Sequence, residues 1–165
     1  TNHPDQRVRR TLIRSLAMIG GKNAVAPLLE LTRDPAIALR RPAVKALGAT
    51  NSTDAVKPLL KIAQIFDPFG RQIDIRSDAV AALGLLGKKE ALYPLLSLAK
   101  RPNLLRLQRL EGLRAEIILT LGKLGGQNLD VAFNKWRKSP HGVVQRAAEL
   151  SLTTLMKKND NATTN

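Results

Sequence analysis

The sequence predicts an all-α fold, a right-handed α-solenoid of about four to five helix pairs. Three observations predict it. The first is a motif that recurs along the 165 residues: an apolar residue, usually followed by Arg, with a Leu eight positions later. It runs from Val8-Arg9 to Leu16, Leu39-Arg40 to Leu47, Ile75-Arg76 to Leu83 and Leu113-Arg114 to Leu121. A fifth copy, Val144-Gln145 to Leu152, lacks the Arg. The starts lie 31, 36, 38 and 31 residues apart, a period that fits one two-helix unit. The second observation is a different motif between the copies: Ala24-Val25-Ala26-Pro27-Leu28-Leu29, Ala55-Val56-Lys57-Pro58-Leu59-Leu60 and Ala91-Leu92-Tyr93-Pro94-Leu95-Leu96. The third is composition. Aromatics make up 3% against 44% hydrophobic residues, so the core is built of Leu, Ala, Ile and Val, which favours helices over a β-sandwich.

Nine helices follow in order. The first carries the stripe Val8, Leu12, Leu16, Ile19 and stops at Gly20-Gly21, a pair suited to the left-handed residue after a helix. The second carries Val25, Leu28, Leu29 and Leu31 and breaks at Asp34-Pro35. Leu39 to Leu47 anchor the third, where Pro42 falls four residues in and either kinks the helix or delays its start. The fourth ends before Asp67-Pro68, the fifth at Gly87, the sixth at Arg101-Pro102 and the seventh at Gly125-Gly126. A degenerate eighth lies near Leu129 to Phe133, broken by Ser139-Pro140, and the ninth holds Val144 to Leu152. Prolines 27, 58 and 94 fit a first turn, where a missing N–H costs nothing. Residues 1–156 read as a single repeat domain and the polar 157–165 as a flexible tail.

Several functions are excluded at once. With no cysteine there is no disulfide scaffold, no thiolate nucleophile and no Cys-ligated zinc. The two histidines, His3 and His141, are far apart, and no paired carboxylates, nucleophile with base, or metal-ligand cluster accompanies them. The glycine pairs lack the preceding strand of a phosphate loop. We therefore expect no catalytic site, no metal and no cofactor. No apolar run approaches the ~20 residues of a membrane span, and a cytoplasmic location is expected. The opening Thr1-Asn2 suggests a processed form or a piece of a longer chain.

The signature D-P…V-R-x-x-A-x-x-A-L-G-x-x-G…A-V-x-P-L-L, spread over residues 5 to 156, resembles the HEAT-like repeat of phycobilisome-lyase subunits and related bacterial proteins. That resemblance implies a HEAT-like solenoid serving as a scaffold, adaptor, chromophore-lyase subunit or phycobilisome-degradation factor. It also implies that the Val-Arg helices line the concave face and the Pro-Leu-Leu helices form the back. Arg9, Arg40, Arg76 and Arg114 then become a structural ladder between repeats. The variable groove positions carry Arg7, Arg10, Arg14, Arg41 and Lys45 in the first two Val-Arg helices, but Asp74, Asp78, Glu116 and Leu119 in the next two. Helical spacing puts Arg10 with Arg14, and Arg41 with Lys45, on one face each. Trp136 and Tyr93 fall on the back, away from any base-binding groove of the glycosylase kind.

The two long repeats place their extra residues in the same turn, along one edge. One insertion contains Phe66, Phe69 and Arg71; the other contains Leu105, Arg106 and Arg109. Arginine beside exposed apolar groups is what interface centres prefer. Lys plus Arg number 27 against 13 Asp plus Glu, a net charge of +14. A charge of this size speaks to partners rather than to fold. The expected partner is an acidic protein, or several subunits of a larger complex, docked by the basic groove and the inserted edge. Nucleic acid is the alternative partner, and a phycobilin lyase subunit or degradation factor the alternative role.

Overall fold

The computed structural model describes residues 3–103 and 107–163, for 158–163 the backbone alone. Among these there are nine α-helices and no strand: α1 (Gln6–Ile19), α2 (Gly21–Leu31), α3 (Ile37–Ala49), α4 (Val56–Ala63), α5 (Ile73–Leu86), α6 (Leu92–Lys100), α7 (Gln108–Leu124), α8 (Leu129–Trp136) and α9 (Gly142–Thr163). They pair in the manner of an all-α solenoid, and the expected helix count holds over the described residues. The chain divides into two compact units where a single domain over 1–156 is expected. One comprises Thr1–Phe66 and Asp74–Lys88, the other Asp67–Ile73 and Lys89–Asn165.

In the first unit, α1 begins where the Asp5 carboxylate accepts the Arg7 N–H at 2.7 Å, capping an orphan donor. It ends at Gly20, whose φ of +65° suits a residue without Cβ and whose N–H returns to the Leu16 carbonyl. Helices α1 and α2 both pack on α3. Leu28, Leu39, Leu47, Leu59 and Leu83 are fully buried, so the core is aliphatic as composition demands. Gly48 marks the crossing of α3 and α5: a Cβ there would lie 2.8 Å from the Ala82 Cα.

The second unit is organised around α7 and α9, with α6 on α7 and α8 on α9. Phe133 is wholly buried with Leu95, Ile117, Ile118, Leu121 and Leu129. Gly122 repeats the device of Gly48, since its Cβ would meet the Ser151 Cβ at 2.8 Å. The Ser151 hydroxyl donates to the Ile118 carbonyl at 3.0 Å and ties α9 to α7.

Three local features add to the sequence reading. Pro58 and Pro94 lie in the first turns of α4 and α6, each after a single 3-10 turn, but Pro27 is interior because α2 already begins at Gly21. Pro42 is likewise inside α3, exposed, with helix on both sides. The stripe buried by Leu39, Ala43, Val44 and Leu47 offsets the lost N–H bond. Finally, the backbone of α9 stays helical to Thr163, through most of the segment read as a flexible tail.

Candidate functional site

The consensus arginines are held by the fold. Arg9 lies buried and grips Asp34 with two bonds, Nε to Oδ2 at 2.7 Å and Nη2 to Oδ1 at 3.0 Å. Its Nη1 donates to the carbonyls of His3 and Pro4 at 2.7 and 3.0 Å. The bond from Arg9, together with the Ala36 N–H, holds the Asp34 carboxyl below the usual carboxylate range. Arg40, Arg76 and Arg114 donate through Nε to the carbonyls of Asp34, Ala63 and Ala99, at 2.8, 3.1 and 3.0 Å. Each thus satisfies a carbonyl at or just past the end of the helix before it, where the helix leaves acceptors unpaired.

The five cations expected to line a groove divide into two groups. Arg7, Arg10 and Arg14, spaced by three and four residues, are exposed on α1, and none of their side chains meets a carboxylate among the described residues. Arg41 and Lys45 on α3 are instead engaged by α5. The Arg41 Nε donates to Asp78 Oδ2, its Nη1 is 3.8 Å from Asp74, and the Lys45 Nζ is 3.4 Å from Asp78 Oδ1. Hydrogen bonding to the buried Asp78 raises Arg41 above its ordinary value. The acidic residues noted in the third Val-Arg helix therefore neutralise the cations of the second, and of these five cations only the three on α1 are unpaired among the described residues.

At the inserted edge, Phe66 is 86% and Phe69 65% exposed. Phe66 belongs to the first unit. The turn after it belongs to the second, where the Asp67 carboxylate accepts the N–H groups of Arg71 and Gln72 at 2.9 and 2.7 Å. That clamp fixes Phe69 beneath the Arg71 guanidinium, 5.7 Å from the ring centroid. Gly70 lies beside exposed Arg109, with 3.9 Å from its would-be Cβ to the Arg109 Cβ. Phe69, Arg71 and Arg109 thus share one neighbourhood. Leu105 and Arg106 lie outside the described residues.

Sequence reasoning missed Glu111. It is 1% exposed, accepts from Arg114 Nη1 at 2.9 and 2.7 Å and from Asn103 Nδ2 at 2.9 Å, and lies 3.9 Å from His141 Nε2. His141 is accordingly half-buried rather than a free loop residue. The signal was present: Arg101 precedes Pro102 where the turns at residues 34 and 67 have Asp, so Arg114 draws its carboxylate from its own helix instead. Among the described residues no group of three His, Asp or Glu side chains is arranged to hold a metal, and no helix is long and apolar enough to cross a membrane.

Residues 1–72 match the family model of HEAT repeats. The fold is similar to that of a chain in the complex of CpcE and CpcF of phycocyanin lyase from Nostoc sp. PCC7120, with a TM-score of 0.66 and 22% identity. The match covers 94% of this chain and 62% of that one, so this chain spans less than two thirds of the lyase chain. At that identity the likeness concerns the fold. No curated protein matches the chain in sequence.

Proposed function

We propose that this HEAT-repeat chain is a non-catalytic adaptor that docks an acidic protein partner. One observation carries the reading: Arg7, Arg10 and Arg14 form an exposed cationic face on α1 with no carboxylate of the described chain to quench it. The Arg71–Phe69 stack adds an aromatic anchor beside cations, the composition of an interface centre. Long-range attraction speeds encounter with a negatively charged partner and weakens as salt rises. A second reading is favoured by the fold shared with the phycocyanin lyase complex. In it, the chain is one subunit of a lyase-type assembly, and its partner includes a second repeat subunit.

The test is affinity capture by wild type and by an Arg7→Glu, Arg10→Glu, Arg14→Glu variant, with every recovered molecule identified. The expected result is one or a few acidic proteins bound by wild type and lost with the variant. Recovery of nucleic acid alone, or a protein retained equally by both, overturns the reading.

A further inference from the structure

The second unit holds a cavity of about 410 Å³ that none of the readings above uses. Trp136, Ala99 and Ala132 give it an apolar wall, while Lys100, Arg101 and Lys135 supply cations, and no carboxylate among the described residues lines it. Arg114 also reaches the cavity, but its guanidinium is already bound by Glu111 and by the carbonyls of Ala99 and Arg101. The other three cations are exposed and unpaired among the described residues. The volume lies in the range of small-ligand and side-chain pockets.

Part of this charge has a plain structural cause. Lys100 and Lys135 sit in the last turns of α6 and α8, where helix ends favour cations. Arg101 does not. It stands in extended backbone past the end of α6, at the place where the turns at residues 34 and 67 carry aspartates that the fold uses. A charge reversed at a repeat position leaves the local fold to be completed by Glu111 and frees Arg101 to face outward. Trp136 adds a second, independent feature. Its ring is braced by buried Phe133, with centroids 6.0 Å apart and planes at 40°, so it offers a fixed aromatic surface at the cavity wall. Fixed aromatic rings beside arginine are the anchors that partner side chains seek.

We infer that this cavity receives an acidic peptide segment of the partner, with an apolar or aromatic side chain laid on Trp136 and carboxylates met by Lys100, Arg101 and Lys135. The inference rests on the adaptor reading and assigns the partner its chemistry at one place: acidic residues flanking a ring. Charge complementarity selects the carboxylates, since no acidic side chain among the described residues lines the wall to repel them. The apolar wall selects the ring, which a purely polyanionic ligand leaves unused.

Trp136 is the chain's one tryptophan, so its fluorescence reports this cavity alone. The experiment titrates the whole protein with a short peptide of glutamates around a central phenylalanine, and in parallel with an all-glutamate peptide and oligothymidylate. Saturable change in Trp136 emission with the first peptide is expected, with affinity about tenfold weaker for the all-glutamate peptide. The Arg101→Asp variant restores the residue type of the sister turns and so keeps the local fold. It and Lys135→Glu are each expected to weaken binding by about tenfold or more. No saturable response to the phenylalanine peptide, an unchanged response in Arg101→Asp, or tighter binding of oligothymidylate each overturns the cavity's assignment. A silent Trp136 alongside loss of the captured partner in the α1 variant would sink this inference and leave the adaptor reading standing.

Discussion

At the scale of single residues, the fold turns on where carboxylates meet arginines. Arg9 and Asp34 form a bidentate pair with both side chains nearly buried. Because Arg9 holds the Asp34 carboxyl below its ordinary value, folding favours the ionised form. That stability is complete above the unfolded carboxylate value, near pH 4, and drains away as pH falls through the lower folded value. Thermal melts across pH check it: wild type should lose midpoint temperature below about pH 4, and Asp34→Asn should be less stable at neutral pH but closer to wild type near pH 2. A parallel loss in both proteins would mean that this pair does not govern the acid limb. The recurrence of Arg9 in a motif was legible in the sequence, and its pairing with Asp34 is seen in the structure. The capture of Arg41 and Lys45 by Asp78 was not legible in the sequence. All three were assigned to variable groove positions, and only the crossing of α3 and α5 makes them meet.

Elements were read more securely than their ends. Nine helices follow from two motifs at a steady period, since a stripe of Leu and Ala recurring every third or fourth residue has nowhere to go except against a neighbouring helix. The ends depend on single caps: α2 starts six residues before Pro27 because Gly20 closes α1 and Gly21 opens the next helix without a linker. Close crossings are harder still to read, since a glycine within a helix looks like a defect until the partner backbone is in place. Gly48 and Gly122 lie at such crossings, whereas nothing approaches within 4 Å of a Cβ added to Gly112 in α7. Alanine substitutions separate the cases. Gly48→Ala and Gly122→Ala should each destabilise by about 1–3 kcal/mol through overpacking. Gly112→Ala should instead stabilise by about 0.5–1 kcal/mol through helix propensity. Denaturant midpoints measure all three. If Gly48→Ala proved as benign as Gly112→Ala, the α3–α5 approach would be looser than the structure has it.

For the whole molecule, the sign of the charge was written in the composition, but its distribution was not. A net charge of +14 attracts negatively charged molecules. It does not say which cations are free, because pairing depends on which helices face each other. On α1 three arginines stand unpaired among the described residues, while on α3 two cations are already satisfied by α5. This difference has a consequence for salt dependence. Free cations bring counterion and screening effects to a complex, whereas cations closed on a carboxylate of their own chain contribute little further attraction. If the proposed adaptor role holds, affinity for an acidic partner, measured over a salt series, should therefore fall with added salt. Replacing Arg7, Arg10 and Arg14 with Gln should flatten that slope and raise Kd about tenfold or more at low salt. Replacing Arg41 and Lys45 with Gln should change the slope far less and should instead lower stability, because it leaves buried Asp78 without its partners. The two outcomes read different quantities on the same variants, binding by titration and folding by melting. If the α3 pair carried the salt slope and the α1 trio did not, docking would have to proceed by breaking the α3–α5 ion pairs, and the exposed face of α1 would lose its role.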